Sequence, residues 1–121
     1  MAPIRIVGVY DADGGVIGEI RYVIGHLLGH AHCTLCEITH GPLRKRKVFT
    51  DLEQRSAVPI ELRHRNEISA AERAACGDQL PCVLIETTEA IEILLGPHDL
   101  AAAHGDVEVF EALLTEALAR R

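Results

Sequence analysis

The order of apolar runs along this chain predicts an α/β domain in which a central mixed sheet of about four strands is flanked by helices. Three observations lead there. Short β-branched runs alternate with segments of helical period. Hydrophobic residues make up 48% of the chain against 25% charged, a globular balance. A length of 121 residues suits one domain that buries about two thirds of the surface its unfolded form exposes. The expectation is therefore a single domain over residues 1–121. Its core must rest on Val, Ile, Leu and Ala, because Tyr10, Tyr22, Phe49 and Phe110 are the only aromatic residues. So few rings give no stacking platform for bases.

Ile4 to Tyr10 reads as a buried first strand, closed by the turn-forming Asp11-Ala12-Asp13-Gly14-Gly15. A helix is expected from Val16 to about His30, with Val16, Ile20, Val23, Ile24, Leu27 and Leu28 on one side. It runs directly into the segment Cys33-Thr34-Leu35-Cys36-Glu37-Ile38-Thr39-His40. Val48, Phe49 and Leu52 mark a second helical pattern over Val48 to Arg55. Val58, Ile60 and Leu62 alternate with Pro59, Glu61 and Arg63, a strand with one wet face, and Pro59 places it at an edge or at its own start. Ser69-Ala70-Ala71-Glu72 has capping-box spacing, so a short helix begins at Ala70 and stops near Gly77. Pro81 introduces the strand Cys82-Val83-Leu84-Ile85, and Ile91 to Leu95 forms another; Glu86 to Glu89 turn between them, which makes an antiparallel hairpin. Asp106 caps a last helix carrying Val107, Phe110, Leu113, Leu114 and Leu118 on one face.

In this order of elements, and in Leu80-Pro81 just before the third strand, the chain resembles the thioredoxin-like superfamily over nearly its whole length. The resemblance implies a cis-proline at Pro81, with Cys82 near the active-site end. Redox members of that superfamily keep a Cys-x-x-Cys directly after the first strand, where this chain has Asp11 to Gly15. Here the Cys pair comes at the far end of the first helix. Oxidoreductase function is thus not carried onto it by position, and Pro81 is expected to face Asp11 and Asp13.

Cys33 and Cys36 are three residues apart and His40 follows four later. This spacing lets two soft thiolates and an imidazole converge on a metal ion, zinc above all, with His30 or His32 as a further ligand and Cys82 or water as other sources. The same pair suits a thiol-disulfide oxidoreductase in which Cys33 attacks and Cys36 resolves. Buried, inert thiols are the plain alternative, and a non-enzymatic interaction module with a protein or small-molecule partner is the third class. Glu19, His26 and His30 make a weaker stripe at helical spacing. Asp11-Ala12-Asp13-Gly14-Gly15 also looks like the phosphoaspartate motif of haloacid-dehalogenase-like phosphatases. That resemblance would make Asp11 a nucleophile and Asp13 an acid/base; the turn reading is favoured, since Lys45 and Lys47 are the only lysines. Cys76 and Cys82 read as core, and His64 and His98 as surface histidines without local partners. No Ser-His-Asp arrangement, phosphate loop or dinucleotide fingerprint occurs.

A net charge of −6 disfavours nucleic acid as a partner, and the short run Arg44-Lys45-Arg46-Lys47 reads first as a solvated turn. The first residues lack the apolar stretch of a signal peptide, and no later run approaches membrane-spanning length. A cytoplasmic protein with no membrane association is expected. Reduced or metal-bound cysteines fit that compartment.

Overall fold

The computed structural model describes residues 3–11, 34–39 and 46–121. Its centre is a mixed, open sheet of β1 (Pro3–Tyr10), β2 (Ile60–His64), β3 (Cys82–Thr87) and β4 (Ile91–Leu95), in the order β2-β1-β3-β4. β1 runs parallel to β2 and antiparallel to β3, and β3 and β4 form the expected antiparallel hairpin. The helices are α1 (Thr34–Thr39), α2 (Lys47–Arg55), α3 (Ala70–Cys76), α4 (Pro97–Ala102) and α5 (Val107–Ala119). The expected helix from Val16 to His30 lies outside the described residues.

β1 is apolar without alternation because both of its faces are covered. Ile6 and Tyr10 point into the larger core with Leu35, Ile38, Phe49, Leu52, Leu100, Phe110 and Leu114, which places α1, α2, α4 and α5 on that face. Val7 and Val9 point the other way, into a smaller cluster with Cys76, Cys82 and Leu84 beneath α3. β2 is an edge strand, as Pro59 indicates: Pro59 has no N–H to give, and its carbonyl accepts from Ile6 at 2.8 Å. Its wet face carries Glu61, whose carboxylate meets Arg63 at 2.9 Å and Arg5 at 3.2 Å.

The short helices begin where the caps lie. Ser69 Oγ accepts from Glu72 N at 3.1 Å while Glu72 Oε1 accepts from Ser69 N at 2.8 Å, the reciprocal pair expected from sequence. Gly77 ends α3 at φ +57°, in the left-handed region where glycine carries no side-chain penalty. Asp106 Oδ1 accepts from the amides of Glu108 and Val109 and so starts α5. Phe49 of α2 and Phe110 of α5 then meet at 6.0 Å between ring centroids, tilted by 48°.

Three details differ from the sequence reading. α4 was not expected, because Gly96-Pro97 after a strand reads as a plain turn; Pro97 in fact opens the helix, and Asp99 Oδ2 accepts from Gly96 N at 2.8 Å. Val48, expected on the buried face of α2, is 46% exposed because it falls off the edge of the Phe49–Leu52 face. β4 pairs with β3 through a register shift between Val83 and Leu84. The extra residue lets Leu94 join Leu95 on the larger core while Ile91 and Ile93 serve the smaller one.

Gly8 is where the layers come closest. A Cβ there would lie 2.9 Å from Leu62 Cδ2 and 3.3 Å from Leu35 Cδ2. Gly8→Ala should therefore lower the unfolding free energy by about 1 to 3 kcal/mol, seen as a lower denaturant midpoint at unchanged slope. An unchanged midpoint would mean that both leucines move aside at no cost.

Candidate functional site

α1 carries the central part of the Cys33–His40 segment onto the sheet. A six-residue helix has no stability of its own, so its contacts hold it. Leu35, Ile38 and Thr39 are fully buried, and their spacing makes them one face of the helix. Thr39 Oγ1 lies 2.9 Å from Tyr10 Oη, which pins the end of α1 to the end of β1. The Thr39 carbonyl also accepts from Arg46 N at 2.7 Å. Cys36 stands beside this inner face, half-buried and packed against the larger core. Cys33 and His40 flank the helix in sequence. They lie outside the described residues, as do His30, His32, Glu19, His26 and Asp13. Among the described residues no three His, Cys, Asp or Glu side chains come together as a metal-holding group.

One proposed ligand is corrected by the fold. Cys82 packs in the cluster beneath α3, whereas Cys36 packs against the core on the opposite face of the sheet. With the sheet between them, Cys82 cannot complete a site that includes Cys36. Its expected core character holds: Cys82 is 0% exposed, and burial, helped by the neighbouring Cys76 thiol, pushes its thiol up to about 12. Cys76 is buried as expected.

The other chemistry-bearing residues gather where β1 and β2 end. Val9 pairs with Cys82 and Tyr10 with His64, so the register brings Leu80-Pro81 beside the end of β1. The Leu80–Pro81 bond is cis. Asp11 is exposed and accepts from Arg65 Nη1 at 3.2 Å, a pairing that suits a turn. His64 was expected to lack a local partner, and this is corrected too. Its ring sits 5.1 Å from that of Tyr10, and its Nδ1 lies 2.7 Å from Glu67 Oε1, which also accepts from His64 N at 2.8 Å. Glu67 follows in the turn after β2, where neither helical nor strand period signals a pairing. His98 is exposed, as expected.

The basic run is partly structural: Arg46 Nη1 donates to Gly105 O at 2.5 Å. That bond lies in an open depression of about 460 Å³ lined by Arg46, Val48 and residues 104–108. No cysteine lines it.

The amide of His64, and next its ring, hold the Glu67 carboxyl below its ordinary value of 4.5. A depressed carboxylate contributes stability that is present above pH 4.5 and lost as pH falls through the lower folded value. Because the Glu67 side chain is 50% exposed, solvent screens the effect. Glu67→Gln should lower neutral-pH stability slightly and by the same amount flatten its fall below pH 4.5; denaturant titrations across pH 3 to 7 (about the acid range of carboxylates) check this, and an unaltered acid limb would refute it.

No helix among the described residues is long and apolar enough to cross a membrane. No protein-family profile, no curated protein and no solved structure matches the chain.

Proposed function

We propose that the chain is a thioredoxin-like domain that binds a metal ion, zinc by preference, through Cys33, Cys36 and His40, with His30 or His32 as a further ligand. The observation that carries this reading is the helical path from Thr34 to Thr39 with Cys36 on the flank of the buried face. At about 100° per residue, a helix continued through both neighbours puts positions 33, 36 and 40 within an arc of about 60°. Cys36 borders the core, where water is partly excluded and thiolate–metal bonds gain strength. Two thiolates and an imidazole suit zinc. The role is structural or regulatory, and the reduced cysteines of this reading belong in the cytoplasm. With a net charge of −6, the partner is a protein or small molecule and not a nucleic acid.

The thioredoxin-like reading is supported by the order β2-β1-β3-β4, the parallel β1/β2 pair, the β3/β4 hairpin and the cis Leu80–Pro81 bond before β3. The place of Leu80-Pro81 beside the end of β1 favours thiol-disulfide exchange as the second reading, with Cys33 attacking and Cys36 resolving. Against it stands Asp11, which occupies the end of β1 where such proteins keep their thiols.

Elemental analysis of the purified chain should find stoichiometric zinc. Chelation should raise the number of reactive thiols, and Cys36→Ser should weaken metal affinity by about a hundredfold or more. Metal-free protein with Cys33 and Cys36 freely reactive would sink the metal reading. A reversible Cys33–Cys36 disulfide in metal-free protein, poised within the cytosolic range, would install the second reading in its place.

A further inference from the structure

We infer that Cys76 and Cys82 are a peroxide-oxidisable pair, a site of reversible disulfide formation that ties the end of α3 to the start of β3. The two residues flank a chain reversal. Gly77 takes φ +57°, Gln79 N donates to the Cys76 carbonyl at 2.9 Å, and the strand that follows begins with Cys82. The reversal returns Cys82 to the apolar cluster that Cys76 occupies, shared with Val7, Val9 and Leu84. Cys76 Sγ also lies 3.6 Å from the Arg73 carbonyl. Two thiols held in one small cluster across so short a turn need only a local adjustment of that turn to meet the geometric requirement of a disulfide.

Access is a matter of size. Cys76 is 2% and Cys82 0% exposed, but residues 77–79 above them are all exposed. Opening of this turn alone admits an oxidant as small as hydrogen peroxide. Cys76 adjoins the exposed residues 77–79, whereas Leu80 and Pro81 stand between them and Cys82, so Cys76 is reached first. Its thiolate sulfur attacks one peroxide oxygen, the O–O bond breaks, and hydroxide leaves to become water, giving a sulfenic acid at Cys76. The Cys82 sulfur then attacks the sulfenic sulfur; the S–S bond forms, the S–O bond breaks, and a second water leaves with the Cys82 proton. Two thiols lose two electrons, and one peroxide becomes two waters. The site rests on the opposite face of the sheet from Cys36, independently of the metal reading.

The sequence supplies a clean assay. Trypsin cleavage after Arg21, Arg44, Arg73 and Arg120 puts Cys33 and Cys36 on the peptide 22–44, and Cys76 and Cys82 on the peptide 74–120. The full chain, and a Cys33→Ser/Cys36→Ser version beside it, would be treated with hydrogen peroxide, quenched, alkylated under denaturing conditions and digested. The peptide 74–120 should be two hydrogens lighter and unalkylated in both chains, and should accept two alkyl groups after reduction. In Cys82→Ala the same peptide should instead carry a dimedone-trapped sulfenic acid at Cys76. Full alkylation of both cysteines on 74–120, under exposure that oxidises a free thiol standard, would overturn the proposal. So would a bridge from either of them to the peptide 22–44.

Discussion

β1 is enclosed on both faces and both edges, and the rest of the molecule is arranged around what that strand can tolerate. Its two edges are taken by β2 and β3, and its faces by two separate apolar clusters. At its middle stands Gly8, which leaves the space that Leu62 of β2 and Leu35 of α1 occupy. A side chain there would press against Leu35, through which α1 rests on the sheet. Since α1 is too short to persist without that support, the position of Cys36 is inherited from the missing side chain of Gly8. The placement of the sulfur chemistry is in this sense a packing property of a strand that contains no sulfur.

The sheet also divides the cysteines. Cys36 borders the larger core, partly open to water, while Cys76 and Cys82 are enclosed under α3 on the other side. The environments differ in the property that decides thiol behaviour, since a thiolate at a solvent boundary is far less penalised than one inside an apolar cluster. Cys82, pushed up to about 12, is unsuited to holding a metal as a thiolate. Cys36 meets no such enclosure. The described cysteines thus occupy two different environments, and the strands β1 and β3 keep them apart.

How much of this was legible depended on whether the deciding interaction was local in sequence. The limits of α3 and the start of α5 could be read because Ser69 with Glu72, and Asp106 alone, satisfy amides within three residues. β3 and β4 could be read from continuous apolar runs, and Pro59 announced an edge strand. α4 could not, because the same Gly96-Pro97 pair that ends a strand also opens a helix, and only the Asp99 contact to Gly96 separates the two. The partition of cysteines between faces was hidden as well. It follows from the pairing of Val9 with Cys82, a contact between distant parts of the chain that no local period encodes. His64 was misjudged for a related reason: its partners, Tyr10 and Glu67, come from a neighbouring strand and from a turn.

Tyr10 links the two regions that hold most of the chemistry-bearing residues. Its hydroxyl meets Thr39 in the helix that carries Cys36, and its ring meets His64, which Glu67 orients at the end of β2. The hydroxyl pair is buried, so it contributes more to fixing geometry than an exposed bond would. A shift of α1 along the sheet would have to break it, and a shift of the β2 end would have to unstack the rings. The helix that carries Cys36 is therefore one end of a connected unit that runs through Tyr10 to the end of β2. Leu35 and Thr39 have the Gly8 gap and Tyr10 of β1 as neighbours, and these fix where α1 and its Cys36 lie on the sheet.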